Sequence, residues 1–129
     1  MAKESKDKEP LQPLTREAVL AISDLKTELV SVPEWGGSVT VQGLTADERD
    51  DFEATCVKTR GRKAEVNLRN FRAKLVARTC HQEDGTRLFT DDDAAALGQK
   101  SGAAINRIFE VAARLSGLTE ADLEELAKN

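Results

Sequence analysis

The stretch VSVPEWGGSVTV, Val30 to Val41, sets two runs of alternating valines on either side of Pro-Glu-Trp-Gly-Gly. Period-two alternation puts successive valines on one side of a strand, so this segment is confined to a β-hairpin, over about residues 26–43, that must bury its valine side. The pairing can be argued from charge. A two-residue Gly36-Gly37 turn opposes Val32 to Val41 and places Glu34 on the valine face opposite Val39, which buries a carboxylate. A four-residue loop, Glu34 to Gly37, pairs Val32 with Val39 and Val30 with Val41 and gathers four valines on one side. The second register is the expected one, with glycine supplying the positive φ that closes the loop. Pro33 then ends the first strand where no ladder donor is needed, and Trp35 stands at the tip.

Elsewhere the spacing predicts helices. Residues 1–13 carry high charge and two prolines with little apolar content, and read as a disordered arm ahead of a single domain over 14–129. Thr15 caps a short amphipathic helix to about Ser23, with Leu14 placed to staple against Val19. Thr45 followed by Glu48 is a capping box, opening a helix to about Arg60 whose apolar stripe is thin, Phe52 and Cys56. Such a helix is expected to dock weakly. After a break at Gly61, Leu68, Phe71, Leu75, Val76 and Thr79 repeat at helical spacing over about Ala64 to Cys80, with Arg72 inside the apolar arc. A loop holding Asp84-Gly85 leads through Arg87-Leu88-Phe89 to a helix whose first turn is Asp91-Asp92-Asp93, where carboxylates meet exposed amides.

The clearest amphipathic helix runs from Gly102 to Ser116. Ile105, Ile108, Phe109, Val111, Ala112 and Leu115 lie on one arc, with Arg107, Glu110, Ala113 and Arg114 opposite. Gly117 caps it, and Leu118-Thr119 starts a last helix stapled from Leu118 to Leu123. With four Phe, one Trp and no Tyr, the core is built from aliphatic residues. The expected fold is α+β, predominantly helical, one hairpin packed with five to six helices.

Charge is unevenly spread. From Lys58 to Arg78 eight cations face one acid, Glu65, a formal +7 that leaves −11 for the rest of a chain whose total is −4. Lys and Arg clusters neutralise phosphates, so this stretch is the candidate for a nucleic-acid-binding regulator. Phasing argues against a single basic stripe, because Arg69 and Arg72 flank the apolar arc on one side and Lys74 and Arg78 on the other. The expected role of these cations is to bracket a core helix and pair with the acidic remainder. Arg72 is expected to snorkel or to meet a carboxylate from a neighbouring helix or a partner.

No catalytic constellation is present. His81 beside Cys80 does not make a zinc site, since adjacent residues of a regular helix cannot both turn inward. Asp91–Asp93 lacks the alternation and terminal glutamate of a calcium loop. No nucleophile elbow, phosphate loop or HExxH pattern occurs. Cys56 and Cys80 read as small buried hydrophobes of a reducing compartment, and no segment approaches the length of a membrane span. Expected catalytic residues, metal ligands and cofactors are therefore none. The candidate partner-binding residues are Trp35 and Pro33 at the hairpin tip, Phe52 on the thin stripe, and Arg72. For Trp35 two readings stand: an indole folded back over the hairpin, or a rigid anchor for another chain's pocket.

Taken together, VSVPEWGGSVTVQGLTADERDDFE and LVARTCHQEDGTRLFTDDDAAALGQKSGAAINRIFEVAARLSGLTEADLEELAKN resemble the tail assembly chaperones of long-tailed bacteriophages and their prophage relatives. PEWGG in a valine hairpin, LTADERDDFE, DGTRLFTDDD and the terminal SGLTEADLEELAKN carry the likeness, which spans roughly Leu25 to Asn129. The resemblance implies a small, non-enzymatic, largely helical protein without catalytic residues or cofactor. It implies coating of the long tape measure protein before tail-tube subunits polymerise, with many copies per client, self-association into multimers, and the tail tube protein as a further partner. It places the chain in the cytoplasm of the bacterial host and outside the mature virion. Many relatives also have a longer frameshifted form, of which an end at Lys128-Asn129 is the shorter counterpart. Opposite charge blocks suggest head-to-tail stacking of copies. The rivals are the nucleic-acid-binding regulator and a structural tail component retained in the particle.

Overall fold

The computed structural model describes residues 11–60, 63–66, 69–119, 121, 122 and 125. Most of the arm expected over 1–13, together with Leu68 and the Leu123 end of the last staple, lies outside them. The expected class holds: helices dominate, around a three-stranded antiparallel sheet.

The chain opens with α1, Arg16–Ala21, capped by the Thr15 hydroxyl, which accepts from the Ala18 amide at 3.1 Å. β1, Thr27–Val32, and β2, Gly37–Gln42, form the valine hairpin. Its register differs from the expected one by two residues: Val30 pairs with Val39 and Val32 with Gly37. The cause is Pro33. Lacking an amide proton and fixed near a helical φ, it leaves the ladder and starts a 3-10 turn, Pro33–Trp35, so that the four-residue loop is Pro33 to Gly36. Gly36 closes it at φ 77°, its N–H donating to the Pro33 carbonyl at 3.0 Å. An even shift preserves facing, so Val30, Val32 and Val41 are still buried and Val39 still packs on the core.

α2, Ala46–Thr55, starts at the expected capping box: the Thr45 amide donates to Glu48 Oε1 at 2.8 Å and the Glu48 amide to Thr45 Oγ1 at 3.1 Å. It ends five residues before Arg60. The Cys56 amide turns back to the Glu53 carbonyl, and a second hairpin follows, β3, Val57–Arg60, with β4, Lys63–Val66, pairing Val57 with Val66 and Lys58 with Glu65. Neither strand was expected. Val57, Thr59 and Val66 are β-branched and alternate with charged residues, which disfavours helix and suits a ladder, and in the register Lys58 stands across from Glu65 although Arg60 stands across from Lys63. The next helix, α3, Phe71–Thr79, consequently begins seven residues after Ala64, from Asn70 in the left-handed region at φ 56°.

β5, Cys80–His81, pairs with β2, giving the order β1-β2-β5. Asp91–Asp93 is a 3-10 turn, with the Thr90 amide bonded to Asp93, and runs into the short α4, Ala94–Leu97. α5, Gly102–Leu115, lies across the valine face and against α3. Ala113, expected on the polar side, is buried with Ala112, because a methyl fits the close contact there. At the end of α5 the Leu118 amide reaches the Ala113 carbonyl at 2.9 Å with Gly117 at φ 74°, the glycine cap expected. Thr119 and Asp122 exchange side-chain-to-backbone bonds at 2.9 and 3.1 Å, which starts the last helical turn.

The core sits between the valine face, α3 and α5, and α2 closes one side of it. Phe52 of α2 has no exposed surface and meets Phe71 at 5.4 Å between ring centroids; Phe71 in turn meets Phe109 at 5.6 Å. The apolar stripe is thin, as expected, but it is fully enclosed: Phe52 and, at the end of the helix, Cys56 have no exposed surface. Gly43 lets the chain pass directly over the end of α5, where a Cβ would strike the Leu115 carbonyl.

Candidate protein-docking surface

The four candidate partner residues are not brought together. Phe52 is enclosed in the core, so a partner cannot reach it, and as a docking residue it is withdrawn. Pro33 is exposed on the hairpin tip. Trp35, beside it, is half-buried and packs against the core edge, lining a cleft of 270 Å³ with Phe89, Leu97 and Lys100. Arg72 is exposed. Its Nε donates to Asn106 Oδ1 at 3.1 Å and its guanidinium lies 5.4 Å from the Phe109 ring centre, so it stays at the surface, and among the described residues no carboxylate is paired with it.

The hairpin tip is held from below by charge. Both Glu34 carboxylate oxygens accept from the Arg107 guanidinium, at 2.8 and 2.9 Å, and one turn-pair further along α5 Arg114 bonds Glu28 of β1 at 2.8 Å. The Arg107 hydrogen bonds, helped by a backbone amide, hold the Glu34 carboxyl down at about 2. The positions that looked like the solvated back of α5 thus clamp it to the sheet.

Cations of the basic stretch behave largely as expected for residues bracketing a core helix. Arg78 reaches Asp51 at 3.5 Å and Asp91 at 3.4 Å with its side chain only 13% exposed, and Lys74 Nζ donates to the Thr55 carbonyl at 3.4 Å. Guanidinium groups tied up in this way are not displayed to a phosphate backbone. Lys58, Arg60 and Lys63 fall on the second hairpin and Arg62 lies outside the described residues, so the stretch is split between two elements.

No chemistry of a reactive site emerges among the described residues. No group of three or more His, Cys, Asp and Glu is placed to hold a metal ion. His81 Nδ1 lies 2.8 Å from the Thr79 carbonyl. Cys56 and Cys80 are free, fully buried thiols; burial pushes Cys56 up and Cys80 to about 12, which makes both poor nucleophiles. No described helix is long and apolar enough to cross a membrane.

One surface stands out instead, and the sequence reading passed over it. Of the eight large apolar residues exposed among the described residues, seven lie within 11–29. Leu11, Leu14, Val19, Leu20 and Ile22 are 51 to 86% exposed, and Leu29 projects from the outer side of β1 at 69%. The staple expected between Leu14 and Val19 leaves both more than half exposed and so covers neither. α1 has six residues and buries none of them. Isolated helices shorter than about 12–15 residues are marginal in water, and α1 has no surface covered by the described residues that would hold it, which suits it to receive an external one. The available signal was length: an apolar cluster on so short a helix, set off from β1 by Ser23-Asp24, has little to pack against in its own chain.

Residues 14–129 match a family model described as phage tail assembly chaperone. No curated protein and no solved structure matches the chain. The matched span takes in every helix and strand described above, from α1 with its apolar residues to the end of the chain, and on that ground the chain belongs to the phage tail assembly chaperone family.

Proposed function

We propose that this chaperone binds the phage tape measure protein through the apolar segment Leu11–Leu29 and keeps it soluble until the tail tube polymerises. The observation that carries the reading is the concentration of exposed aliphatic side chains on and beside α1, a helix with no buried residue. Apolar residues at positions 19, 20 and 22 form a short patch that can lie against an amphipathic client helix without disturbing the core, which begins only at Val30. The protein acts by contact and not by chemistry. Its setting is the host cytoplasm, several copies associate on one client, and it leaves before the particle is complete.

Co-expression with the tape measure protein of the same phage tests this. The wild-type chain is expected to hold the client in the soluble fraction, while Leu20→Asp with Ile22→Asp lets it precipitate and leaves the chaperone's own thermal midpoint unchanged. A client equally soluble with the variant, or insoluble with the wild type, refutes the assignment. Detection of the chain at stoichiometric levels in purified particles supports the rival reading of a structural tail component.

A further inference from the structure

A second surface, opposite in chemistry to α1, is carried by the junction of the hairpin tip, the start of α3 and the loop before α5. Two clefts meet there. One, of 270 Å³, is walled by Trp35, Phe89 and Leu97; the other, of 380 Å³, by Arg72, Asn70, Asn106 and Ile105. Lys100 lines both. Volumes of this order reach the lower end of the roughly 300–1,000 Å³ of ligand pockets, enough for side chains of a docking segment but small for an extended cofactor.

The electrostatics are one-sided. Neither cleft has an acidic residue in its lining, although the chain carries 23 acids against 19 cations. Arg16, Arg49, Arg78, Arg87, Arg107 and Arg114 are each paired with a carboxylate. Arg72 breaks that pattern. It spends its Nε on the neutral Asn106 amide, is steadied over the Phe109 ring and lines the cleft, and among the described residues no carboxylate is paired with it. Lys100 makes no ion pair among the described residues. An apolar slot joined to two uncompensated cations matches a ligand that is apolar and anionic within one short segment.

We infer that the groove from Trp35 through Lys100 to Arg72 binds an acidic amphipathic helix of the client, taking a large apolar side chain between Trp35, Phe89 and Leu97 and carboxylates one turn away at Lys100 and Arg72. Residues three or four apart on a helix share a face, so a Leu and a Glu at that spacing reach both halves together. This rests on the reading of the chain as a client-binding protein and names the client chemistry that one face selects. α1 supplies an unselective apolar contact; the groove supplies the preference.

The chain reports on the groove by itself, since Trp35 is the one tryptophan and there is no tyrosine. The probe is an alanine-based helical peptide with two leucines on one stripe flanked by two glutamates, titrated against the full chain at low salt. Binding is expected to shift Trp35 emission to shorter wavelength. Replacing the glutamates by glutamine weakens binding about tenfold, as two rim charges are lost, and raised salt does the same. Arg72→Glu with Lys100→Glu, both exposed positions, loses the acidic peptide by a similar factor and gains affinity for its lysine counterpart, which shows that the variant is folded. Equal affinity for the glutamate and glutamine peptides, absence of binding, or binding that leaves Trp35 emission unmoved overturns the inference. Leu20→Asp with Ile22→Asp keeps the peptide affinity, so failure of the α1 assignment and failure of the groove are told apart.

Discussion

Replacing Phe52 by Ala separates a core residue from a partner contact. Phe52 is fully buried and heads a chain of three rings, with centroid spacings of 5.4 and 5.6 Å, that ties α2 to α3 and α5. Truncating a buried Phe to Ala removes its transfer free energy and leaves a cavity that neighbours fill only in part, at a cost of about 3–5 kcal/mol. The upper half of that range applies here, because Phe71 loses one of its two ring contacts as well, each worth roughly 0.5–1.5 kcal/mol. Against a typical domain stability of about 5–15 kcal/mol this is a large share. At roughly 3–5 °C per kcal/mol for a chain of this length, the thermal midpoint falls by about 12–25 °C. Thermal unfolding followed by circular dichroism measures it, with Phe52→Leu, expected to lose less than half as much, as the control for shape. A loss under about 5 °C refutes the packing: α2 would then be a loosely docked helix, and Phe52 would return to the set of residues open to a partner.

Three further outcomes are expected. In a carboxyl-resolved NMR titration Glu34 has its midpoint at about 2, below its ordinary value of 4.5, and Arg107→Ala returns it towards that value; since the folded-state value is the depressed one, the pair's stabilisation is complete above pH 4.5 and disappears as pH falls through 2, and a midpoint indifferent to Arg107→Ala removes the clamp. Gly43→Ala sets a methyl against the Leu115 carbonyl, a backbone atom with little room to move, and is expected to cost about 2–3 kcal/mol in urea denaturation; a neutral effect shows that the β2 to α5 contact is looser than described. Cys80, with its thiol held at about 12 by burial, resists alkylation at pH 8 in the native state and reacts at once in denaturant, so rapid native labelling contradicts its buried place in β5.

What could be read from the sequence follows the range of the forces involved. The Thr45 capping box, the Gly117 cap and the valine side of the hairpin depend on residues within a few positions of one another, and all three were legible. The hairpin register was not. It turns on whether Pro33 joins the ladder or the turn: at the end of the strand Pro33 sets a loop from Glu34, whereas in the turn it sets the observed loop from Pro33 to Gly36. The expected helix over Val57 to Arg60, and another from Ala64 after a break at Gly61, fail for a similar reason, since Lys and Arg are good helix formers and masked the β-branched residues between them. Phe52 shows the other limit: a stripe of two residues looks thin along the chain, and its depth comes from Phe71 and Phe109, 19 and 57 positions away. Of the candidate site, Trp35, Pro33 and Arg72 proved reachable from solvent, while the α1 patch went unnoticed because amphipathic spacing is the same whether the surface that covers it belongs to the same chain or another.

That ambiguity bears on how such a protein can let go. The core opens at Val30 and is complete without α1, so occupying or vacating α1 changes no buried contact of the domain. A six-residue helix is marginal by itself, and holding it in place against a client therefore draws ordering entropy out of the binding free energy. Under the proposed assignment each such contact would be weak for that reason. A long client with repeated sites converts weak single contacts into firm collective attachment, because a chain already tethered by one site meets the next at high effective concentration. Removing copies one at a time from the end, as a growing tube would, then requires only the single-site free energy at each step. A chaperone whose docking segment was built into its core would hold each site more tightly and could not be displaced so cheaply; with α1 as the docking segment proposed for this chain, strong coating and stepwise release would be compatible in one small protein.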